Sequence, residues 1–462
     1  MSMNCTSPLG KIRSVVIICC LILVVSIFGY AYLVNTNADV IDKDTLVANI
    51  EAMDEDSTEY SYVSSYLKNL GIKNINSYKI NAIESLLESD FYTELPEKKA
   101  LAKETALLFV EYYYDTTDLE DKEAVTDGIL YCLFASIDDP YAFYRNAEEF
   151  NAYSDHLAGT DSEFVGIGVM TNVQTHEIIM VYPGSGAEEA GIKCRDVVYA
   201  IEGVVITDEN YEEVFNSLKG EPGTTVEVTV KRQDSLLTFT VTRRKLTERS
   251  VYHFMTEENV GHIEIIQFLD NTPEQFIESV EFCIENGATA LVLDLRYNPG
   301  GIVDAATEII DYIVPDADGR KIAYYNYKGS EYTYYTVDGH SIDLPIALIV
   351  NEHSASAAEL FAAAIRDFND QGVINAVIVG DTTYGKGVVQ NNYHIYDNSG
   401  VTFTISYMFP PSEEVYDGIG IIPDIEVGEV DGEDLPLSVA IDEALKLINS
   451  NSDVTIGGGV AA

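Results

Sequence analysis

Three short runs, Ala290–Leu295, Ile346–Val350 and Ala376–Gly380, are almost continuously apolar, with no alternation of apolar and polar residues. A strand with one wet face alternates, whereas a continuous apolar run is buried on both faces. Helical stretches at Val303 to Ile313 and Ala357 to Phe368 separate the runs. This alternation predicts parallel strands covered by helices, an α/β core spanning residues 247–430. In such sheets ligands and reacting groups collect beyond the carboxyl ends of the strands, so the residues after each run hold the chemistry.

The first run is followed by Asn298-Pro299-Gly300-Gly301, where two glycines let backbone amides approach another group closely. The second leads into Ser354-Ala355-Ser356-Ala357-Ala358-Glu359. Ser356 and Glu359 fit a capping box, an ordinary helix start. A serine there also sits in the positive potential of a helix N-terminus, which favours a developing oxyanion. The third run ends in Gly380, followed by Tyr384-Gly385-Lys386-Gly387 and, four residues after the lysine, Gln390. This approaches the phosphate-loop pattern, but Gly387 replaces the Ser/Thr that holds magnesium, and the following residues predict a strand. Lys386 is better read as a desolvated base, with Gln390 on the same strand face to orient the amine. Each piece has a bland structural explanation alone. Together, a serine, a lysine and a Gly-Gly turn after three parallel strands suit a Ser–Lys dyad. A Ser-His-Asp triad is the rival assignment, with His353, His340 or His394 as base, although no G-x-S-x-G elbow occurs.

The chain has 462 residues and a formal net charge of −49, which argues against a nucleic-acid partner. No acidic residue precedes Asp39, and Val15 to Val34 is almost wholly apolar behind Lys11 and Arg13. About 20 such residues span a bilayer, and the positive-inside rule puts the N-terminus in the cytoplasm. A cleaved signal peptide is the competing reading. The expected organisation is a cytoplasmic N-terminus (1–13), a transmembrane helix (14–35) in the cytoplasmic membrane, a polar stalk (36–90), a helical domain (91–159), a small β-rich domain (160–246), the core (247–430), a C-terminal helix (431–448) and a flexible tail (449–462). The fold class is thus multidomain α+β. Six scattered cysteines and the lack of CxxC or HExxH spacing leave no expected metal site or cofactor.

Eight ordered motifs between about residues 124 and 430 resemble the C-terminal processing peptidases of the S41 family, the tail-specific serine proteases. Among them are Asp138-Asp-Pro-Tyr, Gly166-Ile-Gly-Val, Pro183-Gly-Ser-Gly-Ala, Asp294-Leu-Arg-Tyr-Asn-Pro-Gly-Gly, Ser354-Ala-Ser-Ala-Ala-Glu, Tyr384-Gly-Lys-Gly-Val-Val-Gln and Gly418-Ile-Gly-Ile-Ile-Pro-Asp. The resemblance implies Ser356 as nucleophile, Lys386 as base and Gln390 as its support. It implies oxyanion donors from the backbone of Ala357 and the Gly300-Gly301 turn. His353 stands where the family usually has Gly, and Ala358 where it has Ser. The β-rich domain resembles a PDZ domain, which grips chain ends by strand addition. Its carboxylate loop would be Val165-Gly166-Ile167-Gly168, Val169 and Met170 would begin the receiving strand, and Tyr211, Val214 and Leu218 would line the groove. The expected function is a membrane-anchored serine endopeptidase acting outside the cytoplasmic membrane on proteins with apolar C-terminal tails. An inactive tail-binding scaffold is the alternative, and the sequence leaves a homo-oligomer open.

Overall fold

A computed structural model describes residues 43–454, apart from 53–62, 160–162, 172–174, 183, 194, 208–209, 234, 248, 316–318, 338 and 429–433. The expected membrane segment 14–35 lies outside the described residues, as do 1–13 and 455–462. Among the described residues no helix is long and apolar enough to cross a membrane. The chain divides into two units, one holding the residues up to 152 with 389–406, the other holding 153–388 with 407–462.

In the first unit the stretch before residue 91, expected as a stalk with short helices, does form short helices, and they pack into a core. Helices α1 (Lys43–Ala52), α2 (Val63–Asn69) and α3 (Ser77–Asp90) pack with α4 (Lys98–Tyr112) and α5 (Lys122–Ala135). Leu46, Ile50, Tyr66, Leu67, Ile80 and Ile83 join Phe109, Val110, Ile129 and Leu133 in one core, which Val401 and Phe403 complete. Strand β1 (Phe143–Arg145) pairs antiparallel with Gly400–Thr402. Polar residues inside these helices are buried with partners. Lys79, 5% exposed, reaches Asp397 at 2.7 Å and the Tyr144 hydroxyl at 2.7 Å. Asp90 accepts from the Tyr393 hydroxyl at 2.7 Å. Burying a charge is tolerable only with such pairing, and the pairing hides the apolar periodicity. Helix α6 (Ala147–Leu157) follows β1.

The β-rich region of the second unit opens with β2 (Glu163–Gly166), β3 (Val169–Thr171), β4 (Ile178–Val181) and the short helix α7 (Gly186–Ala190). It continues through β5 (Val197–Ile201), β6 (Val204–Val205), α8 (Tyr211–Asn216), β7 (Thr225–Arg232), β8 (Ser235–Thr242) and β9 (Arg244–Thr247). Antiparallel pairing of β2 with β9 brings its two ends together, and β6-β5-β7-β8 form its main sheet. Its own core holds Ile178, Val198, Ile201, Val226, Val228, Val230 and Val241.

The remainder is built on a six-stranded sheet. Its elements are β10 (Val251–Met255), β11 (Val260–Ile265), α9 (Thr272–Glu285), β12 (Ala290–Asp294), α10 (Val303–Ile313), the hairpin β13 (Lys321–Tyr327) and β14 (Ser330–Tyr335), and β15 (Ile346–Val350). There follow α11 (Ala357–Asp370), β16 (Ala376–Gly380), β17 (Val388–His394) and β18 (Gly400–Phe409), both lying mostly among the first unit's residues 389–406, then β19 (Ile425–Glu426) and α12 (Leu435–Val454). Helix α12 therefore runs six residues past the boundary expected at 448. The sheet order is β10-β11-β12-β15-β16-β19, parallel throughout except for β10. Every residue of β12 and β15 is buried, as continuous apolar runs require. Ala440 and Ala444 of α12 close one face over Val260, Val292, Ile349 and Val379. Parallel register (Asp294 opposite Ile349, Val350 opposite Gly380) puts the loops after β12, β15 and β16 on one edge.

The first unit also carries a pH-sensitive weak point. Glu84 is 6% exposed; one oxygen accepts from Val63 N at 2.9 Å, and the other is buried without a partner. Burial pushes its pKa up to about 7 from an ordinary 4.5. The folded value exceeds the unfolded one, so the cost of ionising Glu84 is absent below pH 4.5 and complete above pH 7. Between pH 5 and pH 8 the stability of Glu84→Gln relative to wild type should therefore rise by about 1–3 kcal/mol. Thermal unfolding at the two pH values measures this, and an unchanged difference refutes it.

Candidate active site

Ser356 caps α11 with φ 58° and ψ −116°. A non-glycine residue at positive φ costs about 1–3 kcal/mol and persists only where its surroundings enforce it. Here the enforcing group is Glu359, three residues into the helix and fully buried. Its Oε2 accepts from Ser356 N at 2.9 Å and from Lys386 N at 2.7 Å. Its Oε1 accepts from the Thr383 hydroxyl and from Gly385 N, each at 2.6 Å. One carboxylate thus fastens the serine turn after β15 to the lysine loop after β16. Ser356 and Lys386 are both half-buried.

The loop after β12 is held to the serine turn by buried side chains. Asn298 donates to Ile265 O at 2.8 Å, and its backbone oxygen accepts from Ala355 N at 2.9 Å. Ser354 donates to Leu295 O at 2.7 Å, and Asn351 Oδ1 accepts from Tyr297 N at 3.0 Å. Gly300, at φ 94°, lies so close that a Cβ there would meet Ser356 Cβ at 2.7 Å and Ala357 N at 2.8 Å. Its amide, however, donates to Asn298 Oδ1 at 2.8 Å. Of the Gly300-Gly301 turn expected to serve the oxyanion, the Gly300 donor is thus engaged in this structure, and the close approach at Gly300 depends on its lack of a side chain. Gly301 is exposed and Ala357 is 1% exposed beside Ser356.

Gly387 excludes the phosphate-loop reading. Its amide donates to Asp417 Oδ1 at 2.9 Å, a Cβ there would lie 2.8 Å from Asp417 N, and strand β17 follows instead of a helix. Gln390 belongs to the first unit, where its side-chain amide donates to Tyr141 O. The rival bases have other engagements. The His353 ring stacks on Tyr297 at 5.1 Å, that of His340 on Tyr312 at 3.8 Å, and His394 packs edge-on against Phe150.

A buried charge cluster supports the same edge of the sheet. Asp294 accepts from the backbone N, Nε and Nη2 of Arg296 at 2.6 to 3.0 Å, and Arg296 continues to Asp434 at 2.8 Å. Against the effect of burial, Arg296 and then His262 hold the Asp294 carboxyl well below the usual range. Glu264, its neighbour on β11, is pushed up to about 7 by burial and then by the charge of Asp294.

In the β-rich region the expected groove residues separate into two sets. Ile167, Val214 and Leu218, at 2%, 8% and 7% exposed, belong to the domain's own core and do not line a groove. Val214 on α8 and Leu218 just after it pack with Ile167 in this core. Val169, Met170 and Tyr211 are half-buried. Tyr211 stacks on His176 at 4.9 Å and meets Phe215 in a tilted contact at 4.2 Å, with its hydroxyl 3.3 Å from Thr171 Oγ1. Val165 and Gly166 pair with Lys245 and Arg244, and a side chain at Gly168 (φ 80°) would collide with Ser185.

Residues 259–427 match the model of peptidase family S41, and residues 177–232 match that of the PDZ domain. The chain is 33% identical over 302 residues to the carboxyl-terminal-processing protease of Picosynechococcus sp., covering 63% of this chain and 70% of that protein. The chain belongs to peptidase family S41. It is also 30% identical to the carboxy-terminal processing protease CtpA of Bacillus subtilis, over 70% of this chain and 68% of the relative. A solved S41 protease from Bacteroides fragilis shares the fold at 18% identity and a TM-score of 0.50, covering 82% of this chain and 98% of that one. The S41 chain is therefore a serine-type, carboxyl-terminal processing peptidase with a PDZ domain.

Sequence reasoning saw Glu359 only as half of a capping box, since the pattern is local and its partners Thr383, Gly385 and Lys386 lie on another loop. It gave no role to Asn298, Asn351 or Ser354, although Asn351 directly follows an apolar strand and Asn298 and Ser354 stand within the quoted motifs. Replacing Glu359 by Gln puts an amide NH2 against two of four donors. Glu359→Gln should lower stability by about 2–4 kcal/mol in urea unfolding of the whole chain; a change under about 0.5 kcal/mol overturns the assignment.

Proposed function

We propose that this S41 peptidase is anchored in the cytoplasmic membrane by residues 14–35 and works outside it. Protein C-terminal tails enter the PDZ groove between β3 and α8, where Val169, Met170 and Tyr211 supply an apolar lining. The chain upstream of the captured tail is then cut at Ser356. The observation that carries this reading is the single buried carboxylate of Glu359 joining the amides of Ser356 and Lys386.

In the proposed mechanism the uncharged amine of Lys386 takes the Ser356 hydroxyl proton as Oγ attacks the scissile carbonyl carbon. The tetrahedral oxyanion is met by Ala357 N–H and by the Gly300-Gly301 turn, with Gly301 the better donor because Gly300 N–H is engaged. The protonated lysine then gives its proton to the departing amine, leaving an acyl-enzyme. Water deprotonated by Lys386 attacks the ester and releases Ser356. No metal or nucleotide takes part in this scheme.

Ser356→Ala and Lys386→Ala should each reduce peptide cleavage by about 10³-fold or more, with the circular dichroism spectrum unchanged. Residual cleavage within tenfold of wild type in either variant removes the dyad. The membrane part has its own check: the full chain should stay in the membrane fraction after carbonate extraction, and release into the supernatant refutes the anchor.

A further inference from the structure

The loop carrying Lys386 and the segment after β18 build an apolar surface that the catalytic scheme above does not use. Tyr384, Ile419 and Ile422 are 59%, 62% and 63% exposed, while Ile421 between them is fully buried. Their outward position is set by the backbone. Thr383 and Gly385, on either side of Tyr384, both point their donors inward to Glu359. Tyr384 N donates to Ser354 O at 3.0 Å, two residues from the proposed nucleophile. Opposite, Ile421 N donates to Thr383 Oγ1 at 2.6 Å and Gly418 N to Gly385 O at 2.8 Å. Ile419 stands between Gly418 and Gly420, at φ 71° and 83°. A Cβ at Gly385 would come within 3.1 Å of the Ile419 and Gly420 nitrogens, so the two segments touch backbone to backbone.

Exposed apolar side chains scattered singly need no explanation, but several brought together by touching backbones mark a surface that meets something else. Asp417, the acidic residue beside this surface, is turned to Gly387 N at 2.9 Å. We propose that Tyr384, Ile419 and Ile422 form the subsite for an apolar substrate side chain flanking the scissile bond. The occupant follows from continuity: the same loop bears Lys386, and its neighbour Tyr384 is bonded to the serine turn. The inference rests on the proposed Ser356–Lys386 chemistry and adds its sequence preference.

The test uses the full-length protein and a quenched-fluorescence peptide that it cleaves, varied to Ala, Leu or Phe at each residue flanking the cut. At one of these positions wild type should prefer Leu over Ala by about tenfold in kcat/KM. Tyr384→Ala and Ile419→Ala should shrink that ratio to about twofold, and Ile419→Val should restore most of it. Absence of the preference in wild type, an unchanged ratio in both alanine variants, or an equal loss for all peptides overturns the subsite. Labelling by a small fluorophosphonate, lost in Ser356→Ala, separates the two levels. Intact labelling with an unchanged ratio removes the subsite alone, whereas no labelling and persistent cleavage by Ser356→Ala removes the catalytic reading.

Discussion

Four hydrogen bonds to one buried carboxylate hold the proposed catalytic loops in register. Glu359 accepts from Ser356 N, Lys386 N, Gly385 N and Thr383 Oγ1 at 2.6 to 2.9 Å. A buried carboxylate is costly unless its lone pairs are filled. Its place in the first turn of α11 adds the favourable potential of the helix N-terminus. The stabilisation has a geometric consequence. Two loops that leave different strands cannot drift apart without exposing this charge to an apolar interior, so the serine turn and the lysine loop behave as one rigid piece.

That piece rests on the sheet. Parallel register brings three loops to one edge, and buried side chains then do between loops what ladder hydrogen bonds do between strands. Asn298 ties the loop after β12 to Ile265 and to Ala355, and Ser354 ties the turn after β15 back to Leu295. Asp294 and Arg296, with Asp434 beyond, fill the end of β12 where an apolar residue would normally sit. Charge inside the sheet is affordable there because Arg296 offers a planar fork that matches the carboxylate.

The strands β12, β15 and β16 were legible because a doubly covered strand needs no alternation, and their loops were legible because Ser356, Lys386 and Gly300-Gly301 follow them at once. Strand β11 was less so, since His262 and Glu264 interrupt its apolar face and make sense only against Asp294 across the register. The segment holding α1 to α3 was read as a stalk with short helices because it is polar and weakly periodic, and the partners that Lys79 and Asp90 find, Asp397 and Tyr393, lie some 300 residues away in sequence. For Val214 and Leu218 the helical spacing announced an apolar face correctly but could not say whether it met a ligand or the domain's own sheet. In each miss a residue's meaning was set by a partner distant in sequence.

Strain at Ser356 closes the physical argument. A serine at φ 58° on a strand-to-helix turn is unfavourable alone, yet three neighbours leave it no alternative. Glu359 holds its amide, the backbone of Asn298 holds Ala355 behind it, and Gly300 is pressed so near that any side chain there would strike Ser356 Cβ. The Gly300 amide is meanwhile turned to Asn298 Oδ1, so the same asparagine fixes both the position of the serine turn and the direction of the glycine turn beside it. A loop so thoroughly over-determined is preorganised before a substrate arrives, and electrostatic catalysis draws its advantage from that preorganisation.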